Sequence, residues 1–544
     1  MNPASSLVEA LRLAAETDRG IQFFDRQGQL TVYPYSQLLV DASHAAAAIR
    51  ERGISPQDTV GLIFSTSYSF VQTLFGVLLA GGIPFCLAPP RLGRGSDYSA
   101  TTARMLTRAR AELVIAEDAI LGSLQKVSAS VGTTFVGVSE IKSPETYIHE
   151  ATHSTPALIQ FSSGTTVDPK PILLTHGNLL ANTNAILSRF PGDLANHSGL
   201  SWLPMHHDMG LIGGLFTAVV GKGNGTFLRP EDFVLRPGLW LRALSETKST
   251  ISPCPNFALK LCTERVTDDE LTTLDLSNWQ IALVGAETVH LRTLKDFHAR
   301  FQKASFNFTT FTPVYGLAEA TLAVAFSDPG VAPQSTSFDT DQLGRGHAVE
   351  KPEGTEIVTV GSALPGFTIE IRDPSGKTRG ENLLGEIFLR GDSIMRGYFD
   401  DPPAPEWLNT GDIGFFFRGS LYLYGRSKDL IIINGRNHDP SYIEFATEGV
   451  AGLRHERTAA FANETSRETE GVVIVVERDK ADAQKPPELA MLVREAVAAK
   501  TGIIAETVLI LESGAIPRTT SGKVKRAEAR RMFLAGELKP IASS

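Results

Sequence analysis

Helix-like and strand-like segments alternate along most of the chain, and this alternation limits the folds that the chain can adopt. Residues 38–52 have the apolar spacing of a helix, residues 59–64 form a short apolar strand, and residues 68–79 are again helical. A second strand candidate, residues 111–116, follows a basic helix at residues 100–110. Strands that alternate with helices in this way pack as open parallel sheets with helices on both faces. We therefore expect an α/β fold over the larger part of the chain.

The pattern changes toward the end of the chain. From Ile357 onward, strand-like stretches lie closer together, which predicts a smaller β-rich part. Residues 471–476 and 508–511 have the pattern of strands, and residues 487–501 between them have the pattern of a helix. These segments predict a small α+β unit that begins at about Ser427.

A polar segment at residues 327–356 joins two regions that have regular patterns. It is rich in Gly, Pro, Ser, Thr and Asp, and we expect it to lack regular structure. Loops of this length are uncommon in compact domains and are often functional. On composition alone, a tolerated insertion at the surface is the favoured interpretation.

Composition and charge exclude several classes of protein. The 544 residues are enough for more than one domain, and a net charge of −9 argues against binding to nucleic acid. The three cysteines are too few and too scattered for a disulfide framework or a zinc site. The N-terminal residues lack the pattern of a signal peptide, and the most apolar run, residues 75–90, is too short to span a bilayer. We therefore expect a cytoplasmic protein without a membrane span.

The run QFSSGTTVDPKPILLTHGNLL, residues 160–180, places small hydroxylated residues around Gly164 and ahead of Lys170. Phosphate oxygens bind to backbone N–H groups, hydroxyls and cations, and glycine permits a tight turn. A Walker A loop has Gly directly before its Lys and Ser or Thr directly after it, whereas Pro169 and Pro171 flank Lys170. These residues by themselves leave two readings open, a phosphate-binding loop of another kind and an exposed turn.

Three further clusters contain groups that could bind parts of a nucleotide. In TPVYGLAEAT, Tyr315 could stack on a base, and Glu319 could hold a hard cation such as Mg²⁺. In NTGDIG, Asp412 could accept both hydroxyls of a ribose, and in IPRTTSGKVKR, Lys523 could enter a site as a point charge. Each residue also has an ordinary explanation: a helix-end charge, a turn aspartate or a surface lysine.

In this order and at these spacings, the motifs resemble those of the adenylate-forming superfamily of acyl-CoA synthetases, peptide-synthetase adenylation domains and luciferases. The resemblance covers nearly the whole chain. SSGTTVDPK is similar to the phosphate loop, YGLAEAT to the adenine and Mg²⁺ motif, TGD to the ribose motif, GRSKD to the hinge and SGKVKR to the catalytic lysine motif. GAE is similar to the strand that lines the adenine pocket, and HHDMGLIGG is similar to the acyl-pocket motif.

Within the superfamily, the chain most resembles the fatty acyl-AMP ligase branch. HDMGLIGG has that branch's form of the acyl-site motif, and KDLIIINGRNHDPSYIE resembles its strand and turn after the hinge. The polar segment at residues 327–356 falls where that branch carries an insertion. In the branch, the insertion packs between the two domains and disfavours the arrangement that uses CoA. The resemblance therefore favours a functional role for this segment.

The resemblance implies a fold, a reaction and partners. The fold is α/β, with a large N-terminal domain, residues 1–426, of two stacked αβ subdomains plus a small β-barrel-like subdomain. A small mobile α+β C-terminal domain, residues 427–544, carries the catalytic lysine. The reaction is the ATP- and Mg²⁺-dependent activation of a fatty acid to an acyl-adenylate, with release of pyrophosphate. Because the sequence ends at GELKPIASS without room for a carrier domain, the expected partner is a separate acyl carrier protein or a polyketide or peptide synthase.

The resemblance also implies the roles of individual residues. Lys523 and Glu319 would be catalytic, Glu319 and Thr166 would hold Mg²⁺, and Lys428 would be the hinge. His207 and Met209 would lie where the acyl chain enters. The residues implied to bind ATP or AMP are Ser162, Ser163, Gly164, Thr165, Thr166, Lys170, Gly285, Ala286, Glu287, Tyr315, Gly316, Asp412 and Arg426.

Three positions depart from the family's patterns, and two other functions stay open. Val167 stands where the phosphate loop often has Gly, Pro171 stands where Gly usually follows the Lys, and Asp439 replaces an aromatic residue common in the branch. Activity is still expected, because the residues with catalytic and ribose-binding roles are present. One alternative is an acyl-CoA ligase, and the other is a catalytically silent protein that binds a nucleotide or an acyl group. A basic run, residues 518–531, could face an acidic carrier protein or could simply be a solvated surface.

Overall fold

The structure, a computed structural model, describes residues 4–90, 95–162, 169–433, 436–463, 471–479, 485–518 and 524–543. Two large sheets form the first part of the chain, and most of their internal strand pairs are parallel, as the βα alternation predicts. In sheet order, the seven-stranded sheet contains Gly397–Tyr398, Pro171–Thr175, Pro156–Phe161, Ile83–Leu87, Thr59–Ile63, Leu113–Ala116 and Thr134–Gly137. The nine-stranded sheet contains Ser362–Ala363, Ala323–Phe326, Phe311–Gly316, Ile281–Val284, Ile251–Cys254, Ser198–Ser201, Asn224–Phe227, Gly20–Phe24 and Leu30–Pro34.

Helices that pack against one another and against the sheets form the main core. Helix Tyr68–Leu79 is apolar on nearly all sides, which suits an element that is buried all round. It begins where the Ser67 side chain accepts a hydrogen bond from the backbone N–H of Phe70. The other α-helices that the structure describes up to residue 301 are Leu7–Ala15, Tyr35–Glu51, Gly95–Arg108, Leu121–Val131, His176–Leu187, Thr217–Val220, Pro230–Leu235, Gly238–Thr247, Asn256–Arg265, Asp268–Thr272 and Leu291–Phe301.

A β-rich unit follows, as the closer spacing of strand-like stretches predicts. Its antiparallel sheet contains the strands Phe367–Arg372, Gly385–Gly391, Leu408–Phe417 and Ser420–Arg426. The last two strands carry Asp412 and Arg426, so this unit supplies part of the candidate site.

The polar segment at residues 327–356 has regular structure, so the expectation that it lacks any is wrong. Strands Ser335–Phe338 and Thr355–Val358 pair with each other, and a short helix, Thr340–Gly344, lies between them. Phe338 is completely buried and its ring lies 5.1 Å from the rings of Phe415 and Phe417. Phe338, together with the buried Leu343 and Ala348, therefore fixes a polar segment to the antiparallel sheet. Composition averaged over the segment does not reveal these few apolar residues.

The chain from residue 427 onward forms the α+β arrangement that the sequence predicts. Its four-stranded sheet contains Leu453–Asn463, Gly471–Arg478, Thr507–Leu511 and Pro540–Ser543, and a two-stranded sheet contains Ile431–Ile433 and Arg436–His438. Its helices are Pro440–Ala446, Pro486–Thr501 and Arg526–Leu534. Within the described ranges, no helix combines the length and the apolar character needed to cross a membrane.

Helix Pro440–Ala446 and the residues next to it contact the first part of the chain. The ring of Phe445 stacks on His290 at a centroid distance of 3.8 Å, and Lys260 forms an ion pair with Glu448. Arg436 forms an ion pair with Asp341 of the polar segment. The boundary between residues 426 and 427 stays a prediction, and these contacts lie across it.

Candidate functional site

Asp412 is held by two neighbouring side chains. It lies opposite Arg426 in the antiparallel strand pair, and the Arg426 Nε lies 3.2 Å from Asp412 Oδ1. The Tyr315 hydroxyl donates a 2.6 Å hydrogen bond to Asp412 Oδ2. Burial raises the pKa of Tyr315 well above its usual value, and the negative charge of Asp412 raises it further, so the phenol stays protonated and donates. An ionised carboxylate accepts up to about four hydrogen bonds, so a fixed Asp412 can accept further donors such as ribose hydroxyls.

The turn before Asp412 is shaped by its own sequence. Gly411 has φ +72°, a conformation that glycine adopts without steric cost. Asn409 Oδ1 accepts a 2.8 Å hydrogen bond from the backbone N–H of Gly411, and Thr410 Oγ1 accepts one of 3.1 Å from that of Asp412. The NTGD run therefore specifies the turn that presents the carboxylate.

Glu319 lies in a short 3₁₀ turn, Ala318–Ala320, beside the strand that carries Tyr315. Burial raises the pKa of Glu319, with a smaller contribution from the nearby carboxylate of Asp208. The Tyr398 hydroxyl donates a 3.4 Å hydrogen bond to Glu319 Oε1. Glu319 therefore presents a partly buried carboxylate whose orientation is restricted.

The backbone two residues after Glu319 is strained. Thr321 is completely buried and has φ +70°, which is uncommon for a β-branched residue. Its hydroxyl donates a 2.6 Å hydrogen bond to the carbonyl oxygen of Ser393. Strain of this kind persists where surrounding contacts over-determine the conformation, and such places are often functional sites.

Two asparagines on helix His176–Leu187 support this turn. Asn182 is completely buried, and its side chain bonds both backbone groups of Ala323, at 2.8 Å to the carbonyl oxygen and 3.0 Å from the N–H. One turn earlier, Asn178 donates to the carbonyl oxygens of Asp392 and Ile394, at 2.7 and 2.9 Å. Sequence reasoning missed both asparagines, although their spacing of four residues in a largely apolar helix was a usable signal.

The proposed phosphate loop is described only at its two ends. Ser163, Gly164, Thr165, Thr166 and Val167 lie outside the described residues. At the ends, the Ser162 N–H donates a 3.0 Å hydrogen bond to the Lys170 carbonyl, and the Lys170 N–H donates one of 3.1 Å to Ser162 Oγ. The Lys170 Nζ lies 4.6 Å from the centre of the Tyr398 ring.

Lys523 also lies outside the described residues. Arg526, in the same motif, forms two 2.6 Å hydrogen bonds with the carboxylate of Glu444 on helix Pro440–Ala446. Its guanidinium lies 3.7 Å from Asp429, the residue after the exposed Lys428. Arg526 therefore connects the start of helix Arg526–Leu534 to a residue next to the predicted hinge.

The GAE turn has the close packing that its glycine predicts. A Cβ at Gly285 would lie 2.7 Å from Val314 Cγ2, and Ala286 has φ +70°. Glu287 Oε1 accepts a 2.7 Å hydrogen bond from the backbone N–H of Phe257, so this carboxylate fixes the turn. A Cβ at Gly316 would lie 1.8 Å from the Leu322 carbonyl oxygen, which excludes any larger residue there.

The acyl-pocket motif lies beside a small apolar cavity of about 60 Å³. Asp208 Oδ1 accepts a 2.7 Å hydrogen bond from the N–H of Met209, which begins the helical segment Met209–Phe216. This segment forms one wall of the cavity, and the nine-stranded sheet forms another. The lining includes Leu187, Phe190, Gly213, Gly225, Ile251 and Leu283. The lining does not include His207 or Met209.

A magnesium ion fits the chemistry of the Glu319 carboxylate. In the part of the chain that the structure describes, no cluster of three His, Cys, Asp or Glu side chains could hold a metal. Mg²⁺ prefers oxygen ligands and is usually bound by one or two carboxylates together with substrate phosphates. A single carboxylate such as that of Glu319 is therefore compatible with a Mg²⁺ site that substrate phosphates complete.

Comparison with known proteins agrees with these motifs. The family model described as AMP-binding enzyme matches residues 13–399. A Caulobacter vibrioides protein named as an acyl-CoA synthetase is 34% identical over 98% of this chain and 96% of its own. The long-chain-fatty-acid–AMP ligase FadD26 of Mycobacterium marinum is 30% identical over 92% of this chain and 91% of its own.

A solved structure agrees as well. A chain from a study of fatty acyl-adenylate ligases from E. coli and L. pneumophila superposes with a TM-score of 0.92, 33% identity and 98% coverage of both chains. The resemblance to adenylate-forming enzymes, and to fatty acyl-AMP ligases among them, is confirmed. The extent of the family match and of these relatives leads to one conclusion: this chain belongs to the family of AMP-binding enzymes.

Proposed function

We propose that the protein uses ATP to convert a fatty acid into an acyl-adenylate and releases pyrophosphate. The observation that carries this proposal is the buried carboxylate of Asp412, which Tyr315 and Arg426 orient as a ligand for ribose hydroxyls. A small apolar cavity of about 60 Å³ lies next to the GAE motif. Leu283 lines the cavity two residues before Gly285 of the adenine motif. Ligand sites are lined predominantly by apolar side chains, and such a lining suits the hydrocarbon chain of a fatty acid. The names of relatives that are fatty-acid AMP ligases support the same reaction.

In this reaction, a carboxylate oxygen of the fatty acid attacks the α-phosphorus of ATP, and the bond to the β-phosphate breaks. The protein must place the two reactants in line and neutralise charge on the transferring group. Asp412 would hold the ribose hydroxyls, with its carboxylate oriented by Tyr315 and Arg426. The loop from Ser162 to Lys170 would bind the β- and γ-phosphates. Bound Mg²⁺ would supply charge neutralisation on the pyrophosphate that leaves.

Glu319 and Lys523 complete the proposed machinery. Glu319, with Thr166, would contribute oxygen ligands to Mg²⁺, and the restricted carboxylate orientation supports that role. Lys523 would bridge the fatty-acid carboxylate and the α-phosphate as a point charge. The base of ATP would bind along Gly285, Ala286, Glu287 and Gly316. Tyr315 is 6% exposed, so only a small part of its ring is available to a base in this arrangement.

We also propose that residues 427–544 rotate as a unit about Lys428 between two half-reactions. Rotation about a few exposed residues is a common mode of domain movement. The ion pair of Lys260 with Glu448 and the stack of His290 on Phe445 lie across this boundary and would separate. The acyl acceptor would then enter the site.

For the acceptor, we favour a carrier protein or synthase over CoA. The polar segment at residues 327–356 falls where the fatty acyl-AMP ligase branch carries the insertion that disfavours the arrangement that uses CoA, and Asp341 of this segment forms an ion pair with Arg436 beyond the predicted hinge. An acyl-CoA ligase is the second candidate, and the name of the Caulobacter vibrioides relative favours it.

Fatty-acid-dependent exchange of pyrophosphate into ATP tests the adenylation step. Exchange should depend on both the fatty acid and Mg²⁺, and Asp412→Asn should reduce it by about tenfold or more, since a hydrogen bond to a charged group is worth about 1.5–3 kcal/mol. Asp373→Asn, in a turn of the same sheet, is the matched control and should leave exchange unchanged. A wild-type protein that shows no exchange with any fatty acid would instead be a silent binding protein.

A further inference from the structure

Residues 395–399 join the two elements to which we assign the phosphates and the metal. The backbone N–H of Met395 donates a 2.9 Å hydrogen bond to the carbonyl oxygen of Glu319. The N–H groups of Arg396 and Phe399 donate to the carbonyl oxygens of Leu173 and Pro171, at 3.0 and 2.8 Å. The short strand Gly397–Tyr398 therefore pairs with strand Pro171–Thr175, which follows the proposed phosphate loop. Met395, two residues before the short strand, bonds the Glu319 turn.

The side chain of Tyr398 repeats this connection. Its hydroxyl donates a 3.4 Å hydrogen bond to Glu319 Oε1, and its ring centre lies 4.6 Å from Lys170 Nζ. A cation at this distance from an aromatic face is attracted by the electrons of the ring. One side chain thus contacts both the carboxylate proposed for Mg²⁺ and the ammonium proposed for the phosphates.

Packing by itself does not require this arrangement. The ring of Tyr398 is half-buried and packs against the edge of the main core, a place that Leu or Phe would fill as well. Packing needs neither a hydroxyl directed at a carboxylate nor a lysine above the ring. Both features are explained if the side chain sets the relative positions of Lys170 and Glu319.

We propose that Tyr398 is a positioning residue that fixes Lys170 and Glu319 relative to each other, so that the β- and γ-phosphates of ATP and Mg²⁺ are bound together. This inference rests on the function proposed above. Tyr398 does not contact the reacting atoms and acts only through its two neighbours. It follows that loss of Tyr398 affects ligands that carry β- and γ-phosphates and spares those that lack them.

Two variants separate the two contacts. Tyr398→Phe keeps the ring above Lys170 and removes the hydroxyl, whereas Tyr398→Leu removes both contacts. Tyr68→Phe is the matched control, because the Tyr68 hydroxyl donates a 2.6 Å hydrogen bond to the carboxylate of Asp41, away from the candidate site. Binding of ATP and of AMP is measured by titration calorimetry in EDTA, and the Mg²⁺ concentration for half-maximal pyrophosphate exchange is measured separately.

We expect Tyr398→Leu to weaken ATP binding by about threefold to tenfold and to leave AMP binding unchanged. Tyr398→Phe should bind ATP in EDTA like the wild type and should need about threefold to tenfold more Mg²⁺. Retained AMP binding also shows that the variants are folded. Equal losses for ATP and AMP, or unchanged values in both variants, would overturn the inference. A wild-type protein that binds no ATP would overturn the proposed function itself, which is a distinguishable result.

Discussion

The Tyr315 hydroxyl lies 2.6 Å from Asp412 Oδ2, although 97 residues separate the two in the chain. Both side chains are buried, so this hydrogen bond is shielded from water. The strand that pairs with the Asp412 strand carries Arg426, which lies next to the other carboxylate oxygen of Asp412. The orientation of the proposed ribose ligand therefore depends on a strand of the nine-stranded sheet and on two strands of the antiparallel sheet.

Tyr315→Phe should weaken ATP binding more than it slows the chemical step. Without the hydroxyl, Asp412 loses one of the two side chains that orient it and keeps Arg426. We therefore expect the KM for ATP to rise about tenfold, while kcat falls less than threefold. Initial rates of pyrophosphate exchange at varied ATP provide both values. Tyr422→Phe is the control, because Tyr422 lies in the same antiparallel sheet as Asp412 and its hydroxyl is hydrogen-bonded to Thr336. A Tyr315→Phe protein with an unchanged KM would show that the hydrogen bond has no part in binding ATP.

Asn182→Ala should destabilise the protein and impair the Glu319 turn together. The substitution leaves the buried N–H and carbonyl of Ala323 without their partner, which costs about 2–3 kcal/mol of the free energy of unfolding. Asn184→Ala, at an exposed position of the same helix, should change stability by less than about 0.5 kcal/mol. Urea denaturation compares the two variants with the wild type. Equal stability in the two variants would contradict the assigned role of Asn182.

Asp439 should make stability depend on pH. Burial raises its pKa to about 6, above the value in an unfolded chain, so between about pH 4 and 6 the folded protein keeps a proton that the unfolded chain loses. Stability contributed at this site therefore falls as the pH rises through that range. Asp439→Asn keeps the helix cap at the N–H of Ser441 and removes the charge.

The melting temperature at pH 4 and at pH 7 measures this effect. The drop from pH 4 to pH 7 should be smaller in Asp439→Asn than in the wild type, and the variant should be the more stable protein at pH 7. Asp193→Asn, which changes an exposed aspartate that also caps a short helical turn, should behave like the wild type. If the melting temperature of Asp439→Asn fell between pH 4 and pH 7 by as much as that of the wild type, the pH dependence would come from other groups.

Lys260→Gln should loosen the chain beyond the predicted hinge. Lys260 and Glu448 are mostly buried ion-pair partners, and their loss should raise the population of separated states by about threefold to tenfold. Trypsin cleavage at the exposed Lys428 should accelerate by a similar factor. Arg390→Gln breaks the exposed ion pair with Glu406 and should have no effect on cleavage. Cleavage rates that are equal in all three proteins would argue against a movement that separates Lys260 from Glu448.

The parallel sheets were predictable because their strands carry a local signal. Thr59–Ile63 and Leu113–Ala116 are continuous apolar runs, as expected for strands that are covered on both faces. Helix Tyr68–Leu79 has its predicted bounds, because Ser67 provides a cap at its start. These features depend on neighbours in the sequence, which a single sequence contains.

The supporting residues of the site were not predictable in the same way. Tyr398 meets Glu319 across 79 residues and contacts the even more distant Lys170, and no local pattern indicates those pairs. Asn182 has a visible polar position in its helix, but its partner Ala323 is set by the packing of two sheets. Phe338 is one aromatic residue in a polar segment, so segment composition predicted a loop where the ring anchors a strand. The residues implied by the family motifs could be named from the sequence because the motifs are contiguous, and their roles stay predictions.

Analysis of the reaction products tests the central claim most directly. The protein is incubated with ATP, Mg²⁺ and fatty acids of increasing length, with and without CoA, and acyl-AMP is separated from acyl-CoA by mass spectrometry. We predict acyl-AMP that depends on the fatty acid and persists when CoA is added. Conversion to acyl-CoA would contradict the role assigned to the segment at residues 327–356, and the absence of both products would contradict adenylation itself.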